Sequence, residues 1–293
     1  MKAKTIFLTI ISSLLLISCS KSGVSETPSC DECGESIPPL SEISEEDIPS
    51  EGTSETTSET TSETTSETNN DFNGYYRDYN LALEGTALRK ELKRRVDTGF
   101  RGKTYQWTGI EAADEDINNS RNVIQIYSRI SIAKSKRVSG GSTGWNREHV
   151  VPQSKLGCKA SSGSVNACSD VHNLWAADNR INSVRDNNPF GKVSGGSYVS
   201  DSNGVKSDCK TGGGLFEPTD AAKGEVARAV LYMVLKYDYP VNISGNLDVL
   251  REWNRTFLPT EEREVRRNNA VYNFQGNRNP FIDYPELVDA IWG

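Results

Sequence analysis

Histidine is nearly missing from this chain: 293 residues hold two, His149 and His172. Cysteine is sparse too, with six in all, and beyond residue 73 no Cys-x-x-Cys pair occurs. A structural zinc site built on paired thiolates therefore has little support. No apolar run reaches the ~20 residues that a membrane-spanning helix needs; the longest, Ile6 to Ile17, falls short. No long internal repeat is present, which excludes a solenoid. Hydrophobic residues make up 35%, little enough that part of the chain is expected not to fold.

Charge is present but unevenly spread. The net value of −7 divides into +2 over residues 1–19, −13 over residues 20–73 and +4 over residues 74–293. The C-terminal part is thus mildly basic, which suits a polyanionic partner but equally describes an ordinary mixed surface. Lys2 and Lys4 precede the apolar stretch, giving the pattern of a signal peptide over residues 1–18. Its end, Leu16-Ile17-Ser18-Cys19, resembles a bacterial lipoprotein signal. That resemblance implies lipidation of Cys19, export, and attachment to a membrane at the cell surface or periplasmic face through acyl chains worth ~0.8 kcal/mol per buried CH₂. Residues 19–73 are rich in Ser, Thr and Glu, with a Thr-Ser-Glu-Thr repeat from about Thr53 to Thr68. Such a segment buries no core and is expected to act as a disordered tether.

Residues 74–293 show helical and extended signals in one mixed α/β domain of the α+β class. Leu88, Leu92 and Val96 recur every fourth residue, predicting a helix over 84–97. Val123 to Ser128 is β-branched and aromatic, a strand. Arg147 to Val151 and His172 to Ala176 are two short strands, and Asp178 caps a helix running to about Arg185. The stretch 191–214 is Gly- and Ser-rich, predicting loops with short hairpins. The stripe Val226, Ala229, Val230, Met233, Val234, Tyr237 marks a helix over Asp220–Tyr237. Thr260 caps another through about Asn269, and Glu286 to Trp292 forms a last one. Cys30 and Cys33 form a Cys-x-x-Cys within the tether, read as a local disulfide or incidental thiols. Cys158 and Cys168, joined by a Gly/Ser/Ala loop, are the first choice for a disulfide in an exported domain.

Both histidines lie within one short polar stretch: Trp145-Asn146-Arg147-Glu148-His149-Val150-Val151-Pro152, then Asp170-Val171-His172-Asn173-Leu174, then Ile181-Asn182-Ser183-Val184-Arg185-Asp186-Asn187. Phosphodiester hydrolysis needs a base for water, a cation at the leaving oxygen, and a positive group for the charge that grows on phosphorus. Histidine titrates near neutral pH and suits the first task. A carboxylate and an amide oxygen suit Mg²⁺. Neighbours on a strand point to opposite faces, so Glu148 and His149 can serve the two sides of one phosphate. Asn182 and Arg185, three apart on a helix, share a face.

These elements resemble the bacterial endonuclease I family, a branch of the ββα-metal, or His-metal finger, nucleases. Its Asn-Arg-Glu-His-Val-x-Pro element matches Asn146 to Pro152, its Asp-x-His-Asn-Leu element matches Asp170 to Leu174, and its Val-Asn-x-x-Arg-x-Asn element is met by Ile181 to Asn187. Gly276 to Leu287 resembles the family's ending, so the likeness runs from about Tyr75 to the C-terminus. The resemblance implies a fold built around a ββα-metal finger and a metal-dependent endonuclease of little sequence specificity, acting on DNA and, as a further option, RNA. It implies His149 as general base, Glu148 and Asn182 as ligands of one divalent ion (Mg²⁺, with Mn²⁺ or Ca²⁺ as alternatives), and Arg185 as a phosphate or transition-state contact. His172 and Asn173 are read as bracing the motif, and Arg147 and Arg180 as solvated or phosphate-contacting. Ala176 stands where many relatives have proline, which is expected to alter the turn into the following helix. Between the motif halves only Lys155 and Lys159 offer further positive charge. No obligate protein partner is evident, and a monomer is expected. The competing readings are a non-catalytic surface lipoprotein that kept the fold and a zinc hydrolase using both histidines.

Overall fold

The structure, a computed structural model, describes residues 72–139, 143–161 and 163–293. The expected signal peptide, Cys19, Cys30, Cys33 and nearly all of the expected tether lie outside the described residues. The chain divides into two units, Met1–Thr65 and Ser66–Gly293, and every described element belongs to the second. No helix among the described residues is long and apolar enough to cross a membrane.

Among the described residues, eight helices and three small antiparallel sheets make an α+β fold. Helix α1, Gly85–Asp97, buries Leu88, Leu92 and Val96, the residues whose spacing predicted it. It is followed by α2, Thr108–Ala113, and by the sheet of β1 (Glu115–Asp116), β2 (Asn119–Ile124) and β3 (Ser131–Ala133). Strands β4, Trp145–His149, and β5, Leu174–Asp178, pair with Glu148 opposite Trp175 and His149 opposite Leu174. Helix α3, Asn179–Arg185, follows β5 without a break. The third sheet is β6 (Ser197–Ser200), β7 (Lys206–Gly212) and β8 (Leu215–Glu217). Helix α4, Asp220–Tyr237, runs through the centre and is buried along nearly its whole length. Helices α5 (Leu247–Thr256), α6 (Arg266–Gln275), α7 (Pro280–Asp283) and α8 (Leu287–Trp292) complete the chain.

The core spreads from α1 and α4 to Trp175, Ile181, Phe190, Phe216, Trp253 and Phe281. Interleaved with it are charges held in pairs: buried Arg267 on Asp114 at 2.8 Å, buried Arg228 on Glu264, and partly exposed Arg129 on buried Glu225 at 2.8 Å. Each guanidinium is also bonded to backbone carbonyls, such as Arg267 to those of Val171 and Leu174. That is the condition under which a buried ion pair is tolerated.

Several predicted elements fall elsewhere. The strand expected over 123–128 ends at Ile124. Gln125–Ser128 turns inward instead, with the amide of Ile126 donating to the Ala176 carbonyl at 2.8 Å and Arg129 in the left-handed region at φ 59°. His172 sits in a turn and its strand begins two residues later, at Leu174. Thr260 makes no side-chain cap; a π-helical turn, Glu261–Val265, delays α6 to Arg266. Ala176 is a strand residue as expected, but β5 runs on to Asp178, and the Ala176 amide donates to Asp114 Oδ2 at 2.7 Å, a bond proline is unable to make.

Candidate active site

The two strands and one helix that hold the motif are welded to each other by polar side chains. Asp178 caps α3 through its Oδ1, accepting from the amides of Arg180 and Ile181 at 2.9 and 3.0 Å. Its carboxylate also accepts from the Ser202 amide and hydroxyl, which ties the turn after β6 to the same spot. Asn173 clamps the chain just after β4: its Oδ1 accepts from the Val151 amide at 2.7 Å and its Nδ2 donates to the Val151 carbonyl at 3.1 Å. Asp170 Oδ1 accepts from the His172 amide, and its Oδ2 accepts from the hydroxyls of Tyr232 and Tyr237, both at 2.9 Å. His172 is buried, lies 3.2 Å by Nε2 from the Asn277 carbonyl, and packs on Tyr232 with ring centres 4.4 Å apart. It is far from solvent and fixes the C-terminal motif to β5. Burial holds its pKa down at about 4, so the ring is neutral at ordinary pH.

His149 faces the other way. Its Nε2 is 2.9 Å from the Cys168 carbonyl, which only accepts, so Nε2 carries the proton and Nδ1 presents a lone pair. Burial, with Arg147 and Arg185 nearby, lowers its pKa to about 4, against the raising effect of that carbonyl. The ring stacks on Tyr105 with centres 5.5 Å apart and planes 26° from parallel. The Cys168 carbonyl is itself held: Cys158 and Cys168 form a disulfide, and Asn166 caps the short 3₁₀ turn Ala167–Ser169 through the Cys168 amide. Cys209 is free and buried.

Glu148 points into the protein, 2% exposed. Among the described residues the hydrogen bonds to it fall on Oε1: Tyr127 Oη donates at 2.7 Å and Arg185 Nη1 at 3.0 Å. Burial raises its pKa, and Arg185 and the Tyr127 hydroxyl offset part of that rise. Asn182 donates through Nδ2 to Asn146 Oδ1 at 2.7 Å, and Asn146 in turn donates to Asn179 Oδ1 at 2.8 Å. This relay turns the Asn182 amide so that its oxygen is left as an acceptor. The other Glu148 carboxylate oxygen and the Asn182 amide oxygen accept no hydrogen bond among the described residues, and hard oxygens are the donors Mg²⁺ prefers. No group of three or more His, Cys, Asp or Glu side chains suited to a metal occurs among the described residues.

Arg185 is placed differently from a phosphate contact. It is 1% exposed, and besides Glu148 it donates to the carbonyls of His149 (2.9 Å) and Val150 (2.5 Å) and to Ser244 Oγ (3.1 Å). Its guanidinium is occupied in holding β4 against α3.

A family model described as Endonuclease I matches residues 84–286. The chain belongs to the endonuclease I family. It is 38% identical over 240 residues to an extracellular ribonuclease of Bacillus amyloliquefaciens, spanning 74% of this chain and 78% of that protein. An extracellular ribonuclease of Bacillus subtilis is 36% identical over 71% of this chain and 75% of its own length. An extracellular deoxyribonuclease of Aeromonas hydrophila is 30% identical over 46% of this chain and 64% of its own. Within this endonuclease I chain the motif residues Glu148, His149, Asn182 and Arg185 meet at one place, and His172 and Asn173 stand behind it. Sequence reasoning missed Tyr127, Tyr105, Asn146 and the Cys168 carbonyl. Asn146 alone carried a signal, as the first residue of the Asn-Arg-Glu-His element.

Proposed function

We propose that this chain is an exported endonuclease that hydrolyses phosphodiester bonds of nucleic acids. Its general base is Nδ1 of His149, and Glu148 and Asn182 hold one divalent cation, Mg²⁺ in the first instance. The observation that carries the reading is the hydrogen bond from His149 Nε2 to the Cys168 carbonyl, which fixes the tautomer that leaves Nδ1 basic. Low intrinsic basicity keeps the ring unprotonated at neutral pH, ready to accept a proton from water. When bound, the cation supplies Lewis acidity and charge neutralisation beside the scissile phosphate. Arg185 and Tyr127 hold the Glu148 carboxylate by one oxygen, which leaves the other for the ion.

The decisive experiment is a cleavage assay on plasmid DNA and on RNA, with and without EDTA. Wild type cuts, EDTA stops it, and His149→Ala lowers the rate by at least ~10²-fold, the usual contribution of a positioned base. Equal rates in wild type and His149→Ala would sink the assignment. Mg²⁺ binding followed by calorimetry is expected to be lost in Glu148→Gln. A second reading, RNA as the preferred substrate, is supported by the two Bacillus relatives, both called extracellular ribonucleases and both matching over more of the chain than the deoxyribonuclease. Rates on matched DNA and RNA strands separate the two. Export with lipid attachment at Cys19 rests on the leader pattern, and incorporation of labelled palmitate that disappears in Cys19→Ala is the expected result.

A further inference from the structure

If Arg185 is occupied inside the protein, another cation must face the substrate. On β4, Arg147 and His149 are two apart and project from one side of the strand, while Asn146 and Glu148 project from the other. The Arg147 guanidinium is stacked between two rings, with its central carbon 3.7 Å from the centre of Tyr105 and 4.0 Å from that of Trp107. The far end of this clasp is anchored: Trp107 meets Trp145 edge-on at 5.2 Å, and Trp145 Nε1 donates to the Ala133 carbonyl at 3.2 Å. Its near end is the catalytic base itself, because Tyr105 also stacks on His149. One rigid row of Trp107, Arg147, Tyr105 and His149 therefore sets where a positive charge lies relative to the base.

Arg147 is half-buried, and no carboxylate pairs with it among the described residues. Arg137, which also lies over Trp107 at 5.6 Å, is neutralised by Glu111 at 2.8 Å. Partly stripped of water, Arg147 has two aromatic faces and a hydrogen bond to the Tyr105 hydroxyl, and it still lacks an anion. Its flat fork carries five donors and matches two phosphate oxygens, so donors remain beyond the one on Tyr105. We propose that Arg147, clasped between Tyr105 and Trp107, binds a backbone phosphate of the nucleic-acid substrate beside His149. The proposal rests on the nuclease reading above. It assigns to Arg147 the task that the sequence motif gave to Arg185.

The test reads salt dependence, which a purely structural arginine does not move. Binding of a fluorescein-labelled DNA duplex is followed by anisotropy in EDTA over a range of salt, with His149→Ala as the parent so that the probe survives. Every phosphate that is no longer neutralised lowers the slope of log K against log salt by ~0.9 on duplex DNA. Adding Arg147→Gln is expected to lower the slope by about that amount and to weaken binding roughly tenfold at low salt. Arg147→Met keeps an apolar stem between the rings and serves where Arg147→Gln melts early; both are checked by thermal unfolding. Arg147→Lys keeps the slope while losing affinity, because charge remains and the planar fork does not. An unchanged slope in Arg147→Gln and Arg147→Met overturns the proposal, as does a lowered slope in Lys155→Gln with none at Arg147. Degradation of the same probe by His149→Ala once Mg²⁺ replaces EDTA would instead overturn the base assignment, so the two failures are told apart.

Discussion

At the scale of single residues, the site depends on one buried carboxylate oxygen. Glu148 Oε1 receives both the Tyr127 hydroxyl and an Arg185 nitrogen. Tyr127→Phe leaves the packing intact and removes a charge-assisted bond, a loss of ~1.5–3 kcal/mol. Arg185→Gln strands a buried carboxylate and three acceptors and is expected to cost ~3–5 kcal/mol. Because both donors serve the same oxygen, their losses are coupled: once Arg185 is gone, the Glu148 proton is retained more readily and the Tyr127 bond matters less. Urea unfolding of the two single variants and the double variant measures this, and strict additivity would show that the donors act independently. Activity is expected to fall in Tyr127→Phe without a change in KM, since Tyr127 touches only Glu148 among the groups of the site.

At the scale of elements, the loop between the motif halves joins stability to chemistry. The Cys158–Cys168 disulfide closes a ten-residue separation, for which chain entropy gives ~2–3 kcal/mol. Replacing both cysteines by serine is expected to lower the unfolding free energy by about that much. It should lower kcat as well, because the Cys168 carbonyl holds the His149 tautomer. An unchanged kcat would mean that this carbonyl stays in place without the bridge. The same elements show how far the sequence was legible. Helices α1 and α4 were readable because a buried helix writes its spacing into every turn. The strand over 123–128 was misplaced because Ile126 and Tyr127 are apolar for a different reason: they enter the core from a turn so that Tyr127 reaches Glu148. Periodicity reports burial and not the element that achieves it. Glu148, His149 and Asn182 could be grouped from the sequence because they stand in its polar motif elements, which β4, β5 and α3 bring side by side. Tyr105 could not, since it is some forty residues from His149 and meets it only by tertiary packing. Ala176 was read as the end of a strand next to a turn; it lies mid-strand, and its amide serves Asp114. Ala176→Pro is expected to cost ~1–3 kcal/mol by leaving that carboxylate oxygen unpaired.

At the scale of the whole molecule, the scarcity of histidine makes acid stability easy to interpret. Both rings are held neutral, with folded pKa values of about 4 set chiefly by burial, below the ~6.5 of an unfolded chain. Unfolding below that pH takes up protons, so stability falls as the pH drops through ~6.5 and goes on falling toward about 4. For one such histidine the loss between roughly pH 7.5 and pH 5 is about 2 kcal/mol. His172 isolates the effect, because it lies away from the proposed ligands and donates a single bond to the Asn277 carbonyl. His172→Gln keeps a donor there and removes the titration. It is expected to be less stable than wild type at pH 7.5, where the ring packing on Tyr232 is missing, yet to lose about 2 kcal/mol less on going to pH 5. Denaturant unfolding at the two pH values gives the comparison. Parallel losses in the two proteins would mean that His172 takes up no proton on unfolding, and that acid sensitivity comes from His149 and the buried carboxylate pairs.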